Sequence, residues 1–318
     1  MKNEKIALVL GATGGVGGET AKALLKNGWT VKALVRKANP ENLDNKIVCV
    51  VGDAMNAEDV EKAARGVSLI VHAVNPPGYK NWGQVVIPMV QNTIRAAKIA
   101  GARIVLPGTI YNYGVDTDPL LSEVTIQKPT TRKGAIRVQM EKELFEASKS
   151  GVRVLILRCG DFFGPLSGNN WFSQGLVKPG QPLKSISYPG DKGVGHGWAY
   201  LPDVAQTIAK LVDQEDRLSN FEVFHFSGHW DSDGSQMINA VIKEAQQPQF
   251  SVQKTPWLLI KVLSPFIPIF REMSEMHYLW KKPFQLNNQR LIKFLKEEPH
   301  TPLNEAVKQS LLGLGCVQ

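Results

Sequence analysis

Short apolar runs alternate along the chain with stretches whose apolar positions recur every three or four residues. Ile6–Leu10 is an unbroken apolar run, the pattern of a strand covered on both faces. Ala21, Leu24 and Leu25 then recur at helical spacing, and Gly28 stands just past the expected helix end. Residues 31–35, 47–51, 68–74, 103–106, 152–157 and 221–227 predict further strands. Helices are predicted between them: one capped by Asn56 and running through Ala64, one over 85–100, and one beginning near Arg132. Strands alternating with helices predict an α/β fold, a doubly wound parallel sheet with ligands at the carboxyl ends of its strands.

The later pattern changes. Residues 167–188 are rich in Gly, Pro, Ser and Asn and read as an excursion into a second lobe. Pro202 and Asp203 open a helix through Val204, Ala205, Ile208, Leu211 and Val212. After Asp231 a helix, a short strand over 250–253 and several helices are expected, the last capped at Thr301 with Pro302 in its first turn. The expected organisation is a first domain of 1–165, rejoined by 198–228. A smaller, mainly helical substrate lobe takes up 166–318, chiefly 166–197 and 229–318. Trp257, Phe266, Phe270, Tyr278, Trp280 and Phe284 make its tail aromatic, mostly as core and partly as cover for an apolar ligand.

The chemistry begins between the first strand and helix, at Gly-Ala-Thr-Gly-Gly-Val-Gly over 11–17. Gly11, Gly14 and Gly17 let the backbone turn sharply and approach a pyrophosphate, whose charge the helix N-terminus then faces. Strand, glycine turn and helix together point to a Rossmann dinucleotide-binding unit. The second strand ends in Arg36-Lys37, with no Asp or Glu at the strand end. An acidic residue there would bind a ribose 2′-hydroxyl, whereas Arg suits a 2′-phosphate, so NADP(H) is favoured and NAD(H) is the alternative.

On these motifs the chain resembles the extended or atypical short-chain dehydrogenases/reductases, the NAD-dependent epimerase/dehydratase-like family. The turn at 11–17 matches that family's cofactor turn, which implies cofactor contacts at Gly11, Thr13, Gly14, Gly15, Val16 and Gly17. Gly52-Asp53 matches the pair whose carboxylate and following backbone, at Ala54, meet the adenine. His72-Ala73-Val74 resembles the fourth-strand segment, with Ala73 and Val74 beside the cofactor. Residues 108–114, Gly-Thr-Ile-Tyr-Asn-Tyr-Gly, resemble the Ser-Ser-x-x-Val-Tyr-Gly segment and put Thr109 at the active-site Ser/Thr position. Residues 157–165 resemble the Leu-Arg-Pro-Gly-Asn-Val-Tyr-Gly-Pro segment. The likeness is loose after position 230.

One departure stands out. The family's proton-transfer pair is Tyr-x-x-x-Lys, two side chains one helical turn apart. The corresponding stretch here, 132–141, holds no tyrosine, and the register that keeps Glu141 puts Lys133 at the Tyr place and Arg137 at the Lys place. Arg137 keeps a fixed charge suited to the nicotinamide ribose but cannot usefully move a proton. Lys133 can act as an acid if burial lowers its pKa; otherwise it belongs to a solvated helix face. Tyr111 or Tyr113 would supply a phenol instead. Tyr-x-x-x-Lys is also spelled at 188–192 and 278–282, both outside the expected slot.

Composition adds limits. The chain has 318 residues and a formal net charge of +8, but its basic residues are scattered, with no basic run interleaved with aromatics, which argues against nucleic acid. The start has no room for a signal peptide, and Cys49, Cys159 and Cys316 have no paired spacing, so the chain reads as cytoplasmic. Residues 255–270 are apolar but too short to span a bilayer and are broken by Pro265 and Pro268. They suit a pocket cover or dimer surface, with shallow membrane contact as the remaining alternative. His196 lies among glycines, as a pocket or a surface-loop residue, and His225 and His229 are not expected to share a metal. A homodimer is the default assembly. The expectation is an oxidoreductase acting on a carbonyl or hydroxyl carbon of a small molecule. The alternatives are an epimerase or dehydratase reusing its cofactor, and a non-catalytic NADP(H) sensor.

Overall fold

A computed structural model of the chain describes residues 5–38, 40, 43–76, 82–166, 170–245 and 249–317. The apolar run becomes strand β1 (Ile6–Leu10), buried over its last four positions. β2 (Thr30–Val35), β3 (Val48–Val51), β4 (Leu69–His72) and β5 (Arg103–Thr109) join it in one sheet. After the two-residue β6 (Leu120–Leu121) the sheet gains β7 (Val154–Cys159). After β8 (Asp161–Phe163), β9 (Ser185–Tyr188) and β10 (His196–Tyr200) it gains β11 (Phe221–His225). The seven strands are parallel, in the order β11-β7-β5-β4-β1-β2-β3. The order reverses between β1 and β4, and a crevice opens where strands diverge in this way.

Helices cover both faces because the strands are apolar on both. α1 (Gly15–Lys26), α2 (Ala57–Ala63), α3 (Trp82–Ala100), α4 (Arg132–Lys149) and α5 (Leu201–Val212) are the flanking layers. On one face Ala21 and Leu24 of α1 meet Val204, Ala205 and Ile208 of α5 over Val9, Val71 and Leu155. On the other, Val60, Val86, Val90, Met140 and Leu144 pack on Leu8, Ile70 and Ile104. The sequence anticipated these elements to within a few residues. β5 is the exception: it runs on through Pro107 to Thr109, because Thr109 still pairs with Cys159 of β7.

The remaining elements are α6 (Gln236–Ala245), α7 (Trp257–Leu263), α8 (Pro268–Glu275), α9 (Gln289–Leu295) and α10 (Leu303–Gly313), with β12 (His229–Asp231), β13 (Ser251–Lys254) and β14 (Gln285–Leu286). A third core gathers Phe163, Phe172, Trp198, Met237, Trp280 and Leu311. Pro265 and Pro268 act as expected: α7 ends before the first, and the second opens α8.

Two expectations change here. His196 is neither a surface-loop residue nor part of the main cleft. It is a buried β10 side chain stacked on Trp280, with Nε2 2.8 Å from Asp161 Oδ2. Thr301 does not cap α10, whose N-cap is Pro302. Its backbone N–H and hydroxyl both donate to Asp203, at 2.7 and 2.8 Å, and so tie the start of α10 to α5.

Candidate active site

At the carboxyl ends of β1, β2, β4 and β5 lies an open cleft of about 680 Å³, within the size range of small-molecule sites. Its floor is the glycine turn. Gly11 has φ +88°, and a Cβ on it would come within 2.5 Å of the Ala73 carbonyl oxygen. Gly17 faces the turn from α1, where a Cβ would collide with the Gly11 carbonyl. Gly14 is the N-cap of α1, no side chain caps that terminus, and its first turn has no acidic residue. The leading N–H groups of α1 lack helical acceptors and leave partial positive charge at the cleft.

Most of the anticipated residues meet at this cleft. Gly11, Thr13, Gly14, Gly15 and Val16 line it at the turn, Arg36, Asp53 and Ala54 at one side, and Ala73 and Val74 beyond β4. Thr109, Tyr111 and Arg137 line its far end. Gly17 is not on the wall; it acts by letting α1 approach the turn. A dinucleotide fits these features: a turn only glycine can make, an uncapped helix end for phosphate, and a cation beside β2.

The far end is built by α4 and β7. Thr131 caps α4 by accepting from the Gly134 N–H, which sets the helix register. Three residues past Gly134, the Arg137 guanidinium lies over the Trp82 ring, 5.1 Å from its centroid. Glu141, one turn further, is buried and clamped by Arg158 of β7, Nη1 to Oε1 at 2.9 Å and Nη2 to Oε2 at 2.7 Å. Arg158 Nη1 also donates to the Thr109 carbonyl at 2.7 Å. The register anchored on Glu141 is therefore held by an ion pair that also fixes the backbone of Thr109.

Tyr113 and Lys133 lie elsewhere. Tyr113 is buried against the Arg158 guanidinium and lines neither cavity, and burial raises its phenol pKa. Lys133 lines a smaller cavity of about 100 Å³ with Trp171, Gln174, Ile269, Glu272, Met273 and Met276. The solvated-face expectation for Lys133 does not hold. Its ammonium is buried, 2.9 Å from Glu272 Oε2 and 3.1 Å from the Glu272 carbonyl, while its own N–H donates to Glu275. Burial lowers its pKa, and Glu272 opposes that shift. Tyr111 and Asn170 line both cavities, which therefore adjoin. The two stray Tyr-x-x-x-Lys strings are structural: Tyr188 ends β9, and the Tyr278 hydroxyl donates to the Tyr113 carbonyl.

Sequence reasoning named His72 only as part of its fourth-strand segment, and it did not single out Asn170 or Glu272. His72 ends β4 on the cleft wall. Its Nδ1 is hydrogen-bonded to Thr93 Oγ1, 2.8 Å away, which also lies 3.0 Å from the Met89 carbonyl. Burial, aided by Arg137, pushes the His72 pKa down to about 3. Asn170, which lines both cavities, accepts from the Ser173 N–H and hydroxyl. Among the described residues no cluster of three or more His, Cys, Asp or Glu side chains is placed to hold a metal. No helix among them is long and apolar enough to cross a membrane.

Residues 11–167 match the sequence profile of a family described as NAD(P)H-binding. Over 110 residues the chain is 26% identical to a ceramide reductase of Caulobacter vibrioides, covering 33% of this chain and 35% of that protein. Over 171 residues it is 29% identical to a candidate dihydroflavonol 4-reductase of Synechocystis, covering 49% of each. The chain thus spans less than half the length of these curated relatives. The whole architecture is shared with solved epimerases and dehydratases. A dTDP-glucose 4,6-dehydratase from Streptomyces venezuelae with NAD bound matches at a TM-score of 0.72 and 17% identity, over 97% of this chain and 96% of that one.

Proposed function

We propose that this chain, whose residues 11–167 match an NAD(P)H-binding family and whose fold is shared with epimerases and dehydratases, carries out oxidoreduction at a carbonyl or hydroxyl carbon of a small molecule with an apolar portion. The reading rests on one observation. A single cleft runs from the glycine turn to Thr109, Tyr111 and Arg137, and there adjoins a second cavity walled by Trp171, Ile269, Met273 and Met276. A bound nicotinamide cofactor supplies or accepts the hydride. The remaining tasks fall to this chain's own side chains.

In this reading the turn at 11–17 and the α1 N-terminus hold the pyrophosphate, Asp53 and Ala54 border the adenine, and Ala73 and Val74 line the path to the nicotinamide. Arg36 favours NADP(H) through a 2′-phosphate contact, and NAD(H) is the alternative. Thr109 Oγ1 accepts from the Tyr111 N–H at 3.4 Å, which leaves its hydroxyl hydrogen to orient a substrate oxygen. Arg137 supplies a fixed positive charge at the nicotinamide end and moves no proton.

Two groups are candidates for the proton. The Tyr111 phenol borders both cavities. The Lys133 ammonium is buried beside the smaller one, and its lowered pKa makes it a better acid than a solvated lysine. The reductase names of the two curated relatives support the direction of reduction. The absence of tyrosine at position 133 keeps a second reading alive, a cofactor sensor without turnover.

The test is titration of the purified protein with NADPH and NADH, followed by tryptophan fluorescence, since Trp82 lies under Arg137. A screen of carbonyl compounds for NADPH consumption then follows. Tight NADPH binding with turnover supports the enzyme. Binding without turnover across apolar and sugar carbonyls favours the sensor, and failure to bind either nucleotide overturns both.

A further inference from the structure

The outer face of α7 and α8 is apolar and uncovered. Leu258 is 79% exposed and Phe266 81%, and Leu259, Val262 and Ile269 are exposed beside them. Five large apolar side chains within twelve residues form a patch of the kind that marks an interaction site rather than scattered surface hydrophobes. The charge along the segment itself has one sign. Residues 251–271 contain Lys254, Lys261 and Arg271 and no Asp or Glu. All three cations are exposed. The first carboxylates of α8 are already engaged: Glu272 is buried on Lys133, with Oε1 2.9 Å from Arg132 and 3.9 Å from the exposed Arg271, and Glu275 accepts from the Lys133 N–H.

The arm is also held in place. Trp257 Nε1 donates to the Pro189 carbonyl at 2.8 Å and its ring stacks on His277, while Glu272 pins α8 to α4. The apolar face is therefore presented on anchored short helices. Ile269, exposed on that face, also lines the small cavity, so the patch continues to the cavity wall.

We propose that the α7–α8 arm docks on the surface of an anionic lipid bilayer, with Leu258, Leu259, Val262 and Phe266 entering the headgroup boundary and Lys254, Lys261 and Arg271 facing the lipid charge. Apolar side chains flanked by exposed cations are the composition of an interfacial helix, and helices this short lie on a membrane without crossing it. A neutral protein partner would not call for the one-signed charge, and a second copy of this arm would bring like charges together. The inference goes beyond the redox reading and does not depend on it.

The experiment is co-sedimentation of the full chain, without nucleotide, with vesicles of phosphatidylcholine alone and of phosphatidylcholine mixed with phosphatidylglycerol. Binding is expected to the mixed vesicles, weakening as salt rises. L258E/F266E is expected to lose binding about tenfold or more, and K261E/R271E to lose the preference for anionic lipid. Unchanged NADPH binding by the variants, or an unchanged circular dichroism spectrum if the parent binds no nucleotide, shows that they remain folded. No binding of the parent protein to either vesicle, or equal binding by L258E/F266E, overturns the proposal. A dimer that L258E/F266E converts to monomer, without vesicle binding by the parent, assigns the patch to a second copy and also overturns it.

Discussion

Lys133 and Glu272, 139 residues apart, form an ion pair of 2.9 Å with their side chains only 2% and 6% exposed. Their pairing joins the helix that carries Arg137 to the helix that walls the small cavity. Removing one charge strands the other away from water. Glu272→Gln is expected to destabilise the fold by about 3–5 kcal/mol, the usual cost of a buried ion left without its partner. The double variant Lys133→Met/Glu272→Met should recover most of that loss, because neither charge then needs solvation. Urea unfolding of the three proteins measures the difference.

Turnover separates the two proton candidates. If Tyr111 gives the proton, Tyr111→Phe should lower kcat by about a hundredfold or more while leaving nucleotide affinity unchanged. If Lys133 does, Lys133→Met should show that loss and Tyr111→Phe should not. Steady-state kinetics on the first carbonyl substrate found gives the answer, with a fluorescence titration of each variant as control.

Arg36 is expected to set nucleotide preference. Arg36→Ala should weaken NADPH binding by about tenfold, the scale of one charge-assisted contact, and leave NADH nearly unchanged. Isothermal calorimetry with both nucleotides checks it. An equal loss for both would place the effect in general electrostatics and not in a 2′-phosphate contact.

Acid should destabilise the protein earlier than its carboxylates alone would require. Burial pushes His72 and His225 down to about 3 and His229 and His277 down to about 4. The unfolded chain takes up these protons from the ordinary histidine value of 6.5 downward, whereas the folded chain does not. Stability therefore falls as the pH drops below about 6.5 and keeps falling toward the folded values, by roughly 1 kcal/mol per histidine between about pH 7 and 5.5. Urea unfolding across that range should show the slope, and His72→Asn should remove about a quarter of it.

The sheet was legible because its information is local. Ile6–Leu10, the glycine turn and the Ala21–Leu24–Leu25 spacing each specify structure within a few residues. The cofactor end of the cleft followed for the same reason. The chemistry at the other end was less legible, since it depends on contacts far apart in the chain. Nothing near Lys133 announces Glu272, and nothing near Tyr113 announces the Arg158 guanidinium that its ring faces. His196 read as a pocket or surface-loop residue because its glycine neighbours speak against a strand. Pairing with Asp231 of β12, and Trp280 from the far end of the chain, make it part of a core. Thr301 had the composition of a cap, but α10 starts one residue later, with Pro302 as its N-cap, and the Thr301 N–H and hydroxyl donate to Asp203 instead.

The glycine turn also bears on how this chain can diverge. Gly14 has an extended backbone, φ −95° and ψ 170°, and a Cβ there would meet its nearest neighbour at 3.4 Å. Gly11 and Gly17 have no such room, because each approaches backbone that cannot move without opening the sheet or lifting α1. In a library randomised across residues 11–17 and selected only for folded protein, position 14 should drift to small residues while positions 11 and 17 stay glycine. The three-residue periodicity would erode from its centre, leaving a fold that persists after its most recognisable motif has blurred.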